Sequence, residues 1–161
     1  MAKFLITPTT QNQITVTARL GGNAAGTRAN DNDVGKGVKL VGDSNYGLLS
    51  TADAIEGVIT SVETGVYDGY ALGGVQTKGY LNATAYGLQA TPGVGAITVG
   101  QYVLAAAPAA IQTAETLSTT MRVVSATNQA TAATAAFKAR VVSLGPVGTG
   151  AVGTAIVIEL L

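Results

Sequence analysis

Two closely spaced carboxyl groups are residues whose types could do chemistry. Asp53 and Glu56 stand just before an apparent β-strand, and a pair of carboxyls is the machinery of glycoside hydrolysis. They flank a predicted turn, where carboxylates are normally solvated. The chain has no histidine and no cysteine, which excludes the commonest general base, thiolate metal sites and a cysteine nucleophile. We therefore predict that the protein is not an enzyme and that it holds no metal and no cofactor.

Two glycine-containing motifs resemble ligand-binding motifs but lack features that those sites require. "GTGAVG", residues 148–153, fits the dinucleotide pattern G-x-G-x-x-G, but a β-branched strand follows it where a helix is required. "DNDVGKG" places Asp31 and Asp33 two apart, as in a calcium loop. The later positions that need an oxygen ligand, a glycine and a glutamate hold Gly, Lys and Gly instead. We interpret the first motif as a hairpin turn and the second as a solvated turn.

Apolar residues that alternate with polar ones predict an all-β fold of mostly antiparallel short strands, arranged as a sandwich or barrel. In "QITVTARL", residues 13–20, the apolar side chains of one face alternate with polar ones. In "VITSVETGV", residues 58–66, Val58, Thr60 and Val62 are expected on one face, opposite Ile59 and Ser61. In the closing "GTAIVIELL" the isoleucines are expected inside and Glu159 outside.

Glycines mark the predicted ends and bends of the central strands. The Asp-Gly pair of "YDGY" predicts a hairpin turn, and "LGGV" at 72–75 predicts a second break. Gly79, within the next alternating run, predicts a bulge or a close backbone contact. A Pro-Gly turn precedes "AITVGQYVL", residues 96–104, which is predicted as one further strand.

The predicted organisation is an extended N-terminal arm, residues 1–12, followed by a single β-rich domain, residues 13–161. An Ala/Thr-rich insertion interrupts this domain around 105–136. Its first part predicts at most one short helix beginning near Pro108, and "RVVSA" predicts a strand. Its second part, residues 126–137, is of low complexity and predicts a surface loop.

The charge content predicts that other protein covers much of the surface. Nine basic and nine acidic residues make up 11% of the chain, against roughly 25% in an average domain, while 47% of residues are hydrophobic and the mean hydropathy is +0.36. A neutral chain has no electrostatic attraction to nucleic acid or to an anionic membrane. We expect homo-oligomers, no nucleic acid and no membrane partner, with contacts made by the following arm and tyrosine residues: Lys3, Phe4, Leu5, Ile6, Tyr67, Tyr70, Tyr80 and Tyr86.

The chain resembles the small capsid cement, or head decoration, proteins of tailed bacteriophages. The resemblance covers roughly residues 34–104 and the last twenty, and it is carried by "IEGVITSVETG", "GGVQTKGYLNA", "ITVGQYV" and "GTGAVGTAIVIELL". The Ala/Thr-rich part is longer than in such proteins. The resemblance implies a virion protein that binds the outside of an expanded capsid, commonly as a homotrimer, and bridges major capsid subunits. A tail or fibre component and a carbohydrate-binding β-sandwich, with tyrosines stacked on sugars, are the alternatives.

Overall fold

The computed structural model describes residues 13–21, 28–106, 121–134 and 139–161, and strands dominate them. The predicted all-β class is confirmed. The arm, residues 1–12, and the helix predicted near Pro108 lie outside the described residues. The strands are β1 (Ile14–Leu20), β2 (Gly37–Gly42), β3 (Asn45–Leu48), β4 (Gly57–Tyr67), β5 (Tyr70–Leu88), β6 (Thr91–Pro92), β7 (Val103–Ala105), β8 (Arg122–Ser125), β9 (Ala139–Ser143) and β10 (Ala155–Leu160); a 3-10 turn covers Asp31–Asp33 and a helix, α1, covers Gln129–Thr134.

The 19-residue strand β5 is shared by two groups of strands. Residues 71–78 pair with β1 and β4, whereas residues 79–88 pair with β10, β8 and β6. The change of pairing partners occurs at Gly79. Its φ of +109° is readily adopted by glycine and is strained for other residues. A Cβ there would lie 3.2 Å from the Gln13 Cα, which is a backbone atom. The predicted close backbone contact at Gly79 is therefore confirmed.

The first group of strands closes on itself as a small five-stranded barrel. The order is β1-β3-β2-β4-β5, and β1 returns to pair with β5 along its whole length. β4 enters β5 through a two-residue turn at Asp68 and Gly69, both with positive φ, as a type I′ hairpin requires. The hairpin predicted from "YDGY" is confirmed. Buried side chains fill this first barrel: Ala18, Leu20, Val38, Ile59, Ala71 and Val75.

The second group of strands closes through a single bridge, around a larger core. Its order is β9-β10-β5-β8-β7, and an isolated bridge between Tyr102 and Arg140 joins the two ends. Two backbone hydrogen bonds support that closure: Val141 donates to the Gln101 carbonyl at 2.9 Å, and Gly100 donates to the Val141 carbonyl at 2.8 Å. The predicted inward face of β10 is confirmed, because Ile156, Ile158 and Leu160 are among the buried residues. The others of this second barrel are Ile55, Ala83, Ala85, Ile97, Val103, Ala105, Val123, Ala139 and Val141.

The two barrels also meet away from β5, where the segment before β4 lies against β7. Ala52 donates to the Ala105 carbonyl at 2.9 Å, and Ala105 donates to the Asp53 carbonyl at 3.0 Å. Ile55, in the same segment before β4, is fully buried in the core of the second barrel. This contact couples the two barrels into one packed unit.

Helix α1 corrects the surface loop predicted for residues 126–137. Asn128 caps it by accepting from Thr131 N–H at 3.0 Å, and alanine favours the helical state. Ala132 is buried against Leu104 and Val124 on the outer side of the second barrel. The Gln129 side chain holds α1 in place by pairing with the backbone of Tyr102 at 2.7 and 3.1 Å.

The break predicted at "LGGV" is wrong, because β5 runs through Gly73 and Gly74 without interruption. Both glycines allow β4 to approach closely. A Cβ on Gly73 would overlap the Ser61 carbonyl oxygen, and a Cβ on Gly74 would lie 2.6 Å from the Thr60 hydroxyl. The paired glycines therefore serve close packing within a strand, not a turn.

A β-bulge corrects the faces predicted for β4. Ile59 is opposite Val75 and Ser61 is opposite Gly74, so Thr60 is an extra residue in β4. The alternation therefore changes phase at Thr60. Val62 packs against the same core as Ile59 instead of sharing a face with Val58.

Two other strand predictions hold only in part. β1 buries Ala18 and Leu20 but leaves Ile14 and Val16 exposed, because β3 pairs only with residues 19 and 20 of β1. The single strand predicted over 96–104 is divided by a turn at Val99 and Gly100, where φ of Gly100 is +86°. Only Val103–Ala105 then forms β7.

Gly73→Ala tests the close approach of β4 and β5. The added methyl group must displace the β4 backbone, so we expect the free energy of unfolding to fall by about 2 kcal/mol or more. Gly42→Ala is the matched control, since no atom lies within 4 Å of its Cβ position, and it should change stability by less than about 0.5 kcal/mol. Urea denaturation measures both. Equal midpoints for the two variants would contradict this packing.

Candidate functional site: an uncharged loop face

The ionisable residues are distributed unevenly along the chain. Of the nine basic and nine acidic residues, thirteen lie in residues 1–78 and only five follow: Glu115, Arg122, Lys138, Arg140 and Glu159. No charged residue occurs in 79–114 or in 141–158. The strands and loops of the second barrel therefore come mainly from sequence without charge.

The few charges described in the second barrel are already engaged. Arg140 and Glu159 are opposite each other on β9 and β10, and two guanidinium nitrogens contact the Glu159 Oε2 at 2.8 and 2.9 Å. The Arg122 guanidinium lies 4.6 Å from the centre of the Tyr86 ring, within the range of a cation–π contact. These charges are balanced or covered within the chain.

Two uncharged loops lie side by side at one end of the second barrel. We call residues 91–100 and 145–153 the loop face. Ala96 and Ala151 form an antiparallel bridge between them, and Ile97 donates to the Gly150 carbonyl at 2.9 Å. Both loops are also bonded to the end of β5. Gly93 donates to the Tyr86 carbonyl, and Gly153 donates to the Ala85 carbonyl, each at 2.8 Å.

Glycine makes the close contact between these loops possible. A Cβ on Gly150 would overlap the Ile97 carbonyl oxygen, so no larger residue fits at that point. Gly93, Gly100 and Gly148 have φ between +68° and +86°, which lets each loop reverse direction within a few residues. Glycine therefore allows the two loops to come close enough for the backbone pairing that holds the centre of the loop face.

The loop face exposes large apolar side chains to solvent. Val94, Val99 and Val147 are 62%, 57% and 66% exposed, and Val152 is 40% exposed. Single exposed valines are ordinary, but here four of them occur on two bonded loops that carry no charge. A concentration of exposed apolar side chains is typical of a surface that contacts another protein.

A second apolar surface lies on the β2–β3 hairpin of the first barrel. Leu40, Val41 and Leu48 are each about half exposed, beside a cavity of about 290 Å³ that Arg28 and Tyr46 help to line. The Asn45 Oδ1, on the same lining, is buried and accepts no hydrogen bond from the described residues. Unlike the loop face, this surface lies in charge-rich sequence, with Lys39 at its edge.

The tyrosines predicted as interface residues do not form one surface. Tyr70 is at the start of β5, Tyr80 follows the change of partners at Gly79, and Tyr86 is near its end. All three are half-buried. The Arg19 guanidinium lies 5.2 Å from the Tyr70 ring centre, so one face of the Tyr70 ring, like that of Tyr86, is occupied within the chain. For Tyr67 the structure describes the backbone, which pairs with Tyr70 across the hairpin.

The predicted arm contacts, Lys3, Phe4, Leu5 and Ile6, lie outside the described residues. Sequence reasoning missed the loop face and the hairpin surface. The signal available for the loop face was the pair of charge-free stretches. What the sequence did not reveal was that the bridge between Ala96 and Ala151 brings them together.

The candidate carboxylates hold structure in separate places. Asp53 Oδ2 accepts from Lys39 and from Ser50 N–H, each at 2.7 Å, whereas Glu56 Oε2 accepts from Leu40 N–H at 2.6 Å. Burial alone would raise the pKa of Asp53, but the hydrogen bonds from Lys39 and Ser50, with the charge of Lys39, outweigh it and lower the pKa. Asp53 therefore ties β2 to the segment that joins the two barrels.

The two glycine-containing motifs, "DNDVGKG" and "GTGAVG", also have structural roles. Asp33 caps its 3-10 turn by accepting from Asn30 N–H at 2.9 Å, and it accepts from Lys36 at 2.6 Å. The turn was predicted correctly, but Asp33 is buried and not solvated. "GTGAVG" lies in the connection between β9 and β10, so a strand and not a helix follows it. In the four described ranges, no three metal-ligating side chains form a group.

No family model matches the chain, and neither the curated proteins nor the solved structures include a significant match to it. Within the described part of the chain, no helix is long and apolar enough to cross a bilayer.

Asp53→Asn tests the contribution of its carboxylate. Because the folded pKa lies below the ordinary value of ~3.9, the ionised group stabilises the fold above that pH, and this contribution is lost as pH falls through the folded pKa. We expect the variant to lose about 1 kcal/mol at pH 7 and to approach the parent protein once the pH has fallen through the folded pKa of Asp53. Asp43→Asn, in the exposed β2–β3 turn, is the control. Urea unfolding across pH is the measurement, and an unchanged difference at low pH would contradict the assignment.

Proposed function

We propose that this protein is a structural component of a tailed-phage virion that binds the outer surface of the expanded capsid and stabilises it by bridging major capsid subunits. The observation that carries the proposal is the loop face, an apolar and uncharged surface fixed on a closed scaffold. The resemblance to capsid cement proteins supplies the partner. The location is then the outside of the head, after synthesis in the host cell.

An uncharged face is well suited to covering by protein. Burying a charged side chain without a partner costs several kcal/mol, whereas burying valine releases about 25 cal/mol for each Å² of apolar surface removed from water. A face made of Val, Ala, Gly, Pro and Thr carries no such desolvation cost for charges. Association through this face therefore depends on apolar burial and shape, not on ionic attraction.

Cementing works by mass action. A protein that binds only the expanded lattice stabilises that lattice by its binding free energy, and many copies act on one particle. The first barrel has a complementary part in this proposal. It holds most of the described charges, so it suits the solvated side of a bound copy.

The two alternatives predict different behaviour. A tail or fibre component would form rings, tubes or rods, which negative-stain microscopy distinguishes from discrete oligomers. A carbohydrate-binding module would stack sugars on exposed tyrosine rings. Guanidinium groups already lie over one face of the Tyr70 ring and one face of the Tyr86 ring, so a sugar would have to stack on the opposite face of each.

The direct test is to mix the purified protein with undecorated phage heads. We expect ordered added density at the symmetry axes of expanded heads in electron micrographs, and a higher temperature of head disruption. Unexpanded heads, which lack the mature lattice, are the control and should remain bare. An absence of bound density on expanded heads at micromolar protein would contradict the proposal.

Deleting residues 2–8 tests the predicted role of Lys3, Phe4, Leu5 and Ile6. The described core clusters begin at Ala18, so the deletion should leave the thermal unfolding midpoint within a few degrees of the parent. We expect head occupancy to fall at least about tenfold at a fixed protein concentration, since the apolar contacts of the arm are removed. Unchanged occupancy would remove the arm from the proposed interface.

A further inference from the structure

We propose that the free edge of strand β1 accepts an added strand, and that this strand is the arm segment of a neighbouring copy. The β1 edge is the side of residues 14–18 that faces away from β5, and the arm segment is residues 3–7. This deepens the proposed function, because it names the contact that joins copies of the chain. It rests on that proposal for the expectation that copies lie side by side.

The β1 edge carries backbone groups that no described strand pairs. β3 pairs with β1 only at Arg19 and Leu20, where Arg19 N–H donates to the Ser44 carbonyl at 2.9 Å. The backbone groups of alternate residues in a strand point to the same side, so those of Thr15 and Thr17 point the same way as those of Arg19. Within the described ranges these groups face no strand. The partner that satisfies such a row of donors and acceptors is the backbone of another extended segment.

Both faces of β1 are open along the same stretch. Ile14 is 49% and Val16 is 37% exposed, whereas Ala18, on the same face, is buried in the first barrel. Thr15 and Thr17, on the opposite face, are also exposed. Since the single chain leaves these apolar side chains in water, we expect the segment that covers them to come from a second molecule.

The β1 edge also lacks the features that usually prevent sheet edges from pairing, which are charges, prolines and β-bulges. Residues 14–18 contain no charge and no proline, and their register with β5 is regular from Thr15 onward. The outer edge of β4, by contrast, has the bulge at Thr60, a second irregularity between Glu63 and Val66, and the charge of Glu63. The first barrel therefore protects one edge and leaves the other available.

The arm segment matches the β1 edge in length and in pattern. Each has five residues, which is about 17 Å of extended strand. Pro8 ends the arm segment, because proline cannot donate a further bond to a ladder. Phe4 and Ile6 share one face of an extended segment, so pairing can bring them beside Ile14 and Val16. The threonines of β1 then lie beside the other face of the arm segment.

An arm exchanged between copies links them head to tail. Residues 8–13 span up to about 20 Å when extended, which is enough to reach a copy alongside. Each copy gives its arm segment to one neighbour and receives one from another, and a contact of this kind closes into a ring such as the expected homotrimer. The proposed function puts the loop face of the second barrel on the capsid. This leaves the first barrel, to which β1 belongs, for contacts between copies.

Charge placed in the arm segment tests the inference on the full chain. Phe4→Asp with Ile6→Asp puts two carboxylates where apolar contacts with β1 are expected. We expect this double variant to weaken self-association at least about tenfold in sedimentation equilibrium. The matched control is Thr10→Asp with Asn12→Asp, which adds the same charge at the same spacing outside the arm segment and should associate like the parent.

Thr15→Pro tests the β1 edge itself. It removes an N–H that points away from β5, so pairing between β1 and β5 is kept while strand addition is weakened at least about tenfold. Thr15→Val, which keeps the N–H, should associate like the parent. An equimolar mixture of Thr15→Pro with the Phe4→Asp, Ile6→Asp variant should form one-to-one pairs, since one supplies an intact arm and the other an intact edge. Thermal unfolding checks that each variant is folded.

Hydrogen exchange on the parent gives a readout that needs no variant. The amide of Thr17 should exchange freely in dilute protein and become protected as the protein associates. The inference is overturned if that amide gains no protection, if the arm and edge variants associate as tightly as the parent, or if the parent stays monomeric above about 100 µM. A monomeric parent is also the result expected if the arm segment binds its own chain.

Binding of the parent to expanded heads is measured in parallel. Association through the arm segment without head binding would refute the cement proposal alone. Head binding by a monomeric parent would refute this inference alone. If head binding by that monomer were lost in the Phe4→Asp, Ile6→Asp variant, the arm segment would be assigned to the capsid instead of to a neighbouring copy.

Discussion

The hydrogen bonding of the single strand β5 is the constraint on which the rest of the structure depends. It pairs with β1, β4, β6, β8 and β10, and both barrels close through it. Gly79 lets the strand change partners at its middle, and Gly73 and Gly74 let β4 pass close to it. A larger residue at Gly79 would strain the backbone of β5, and one at Gly73 or Gly74 would displace β4.

Closure of both barrels has a consequence for function. Strand pairing runs around each ring, so the loops at the barrel ends become the natural places for contacts with other molecules. In the second barrel those loops are held together by the bridge between Ala96 and Ala151 and carry no charge. In the first barrel, charged side chains such as Asp33 and Asp53 instead hold turns and connections in place. The chain therefore combines a charge-rich barrel with a barrel whose loops suit burial.

The sequence predicts the features of this fold that local chemistry decides. The Asp-Gly turn at 68–69 needs only two residues with positive φ, and the inward face of β10 follows from period-two alternation. The continuity of β5 through Gly73 could not be predicted, because the role of that glycine depends on how closely β4 approaches across the sheet. The bulge at Thr60 likewise appears only when the register between β4 and β5 is known. For the loop face, the absence of charge was visible in the sequence, but the pairing of two distant loops was not.

Hydrogen–deuterium exchange on head-bound and free protein tests the central claim most directly, that the loop face is the surface covered by protein. Amides of residues 91–100 and 145–153 that are open in dilute protein should become protected on decorated heads. Amides of the exposed β2–β3 turn, around Asp43, should keep their exchange rate on the heads. Unchanged exchange in both loops, with new protection confined to the first barrel, would contradict the account.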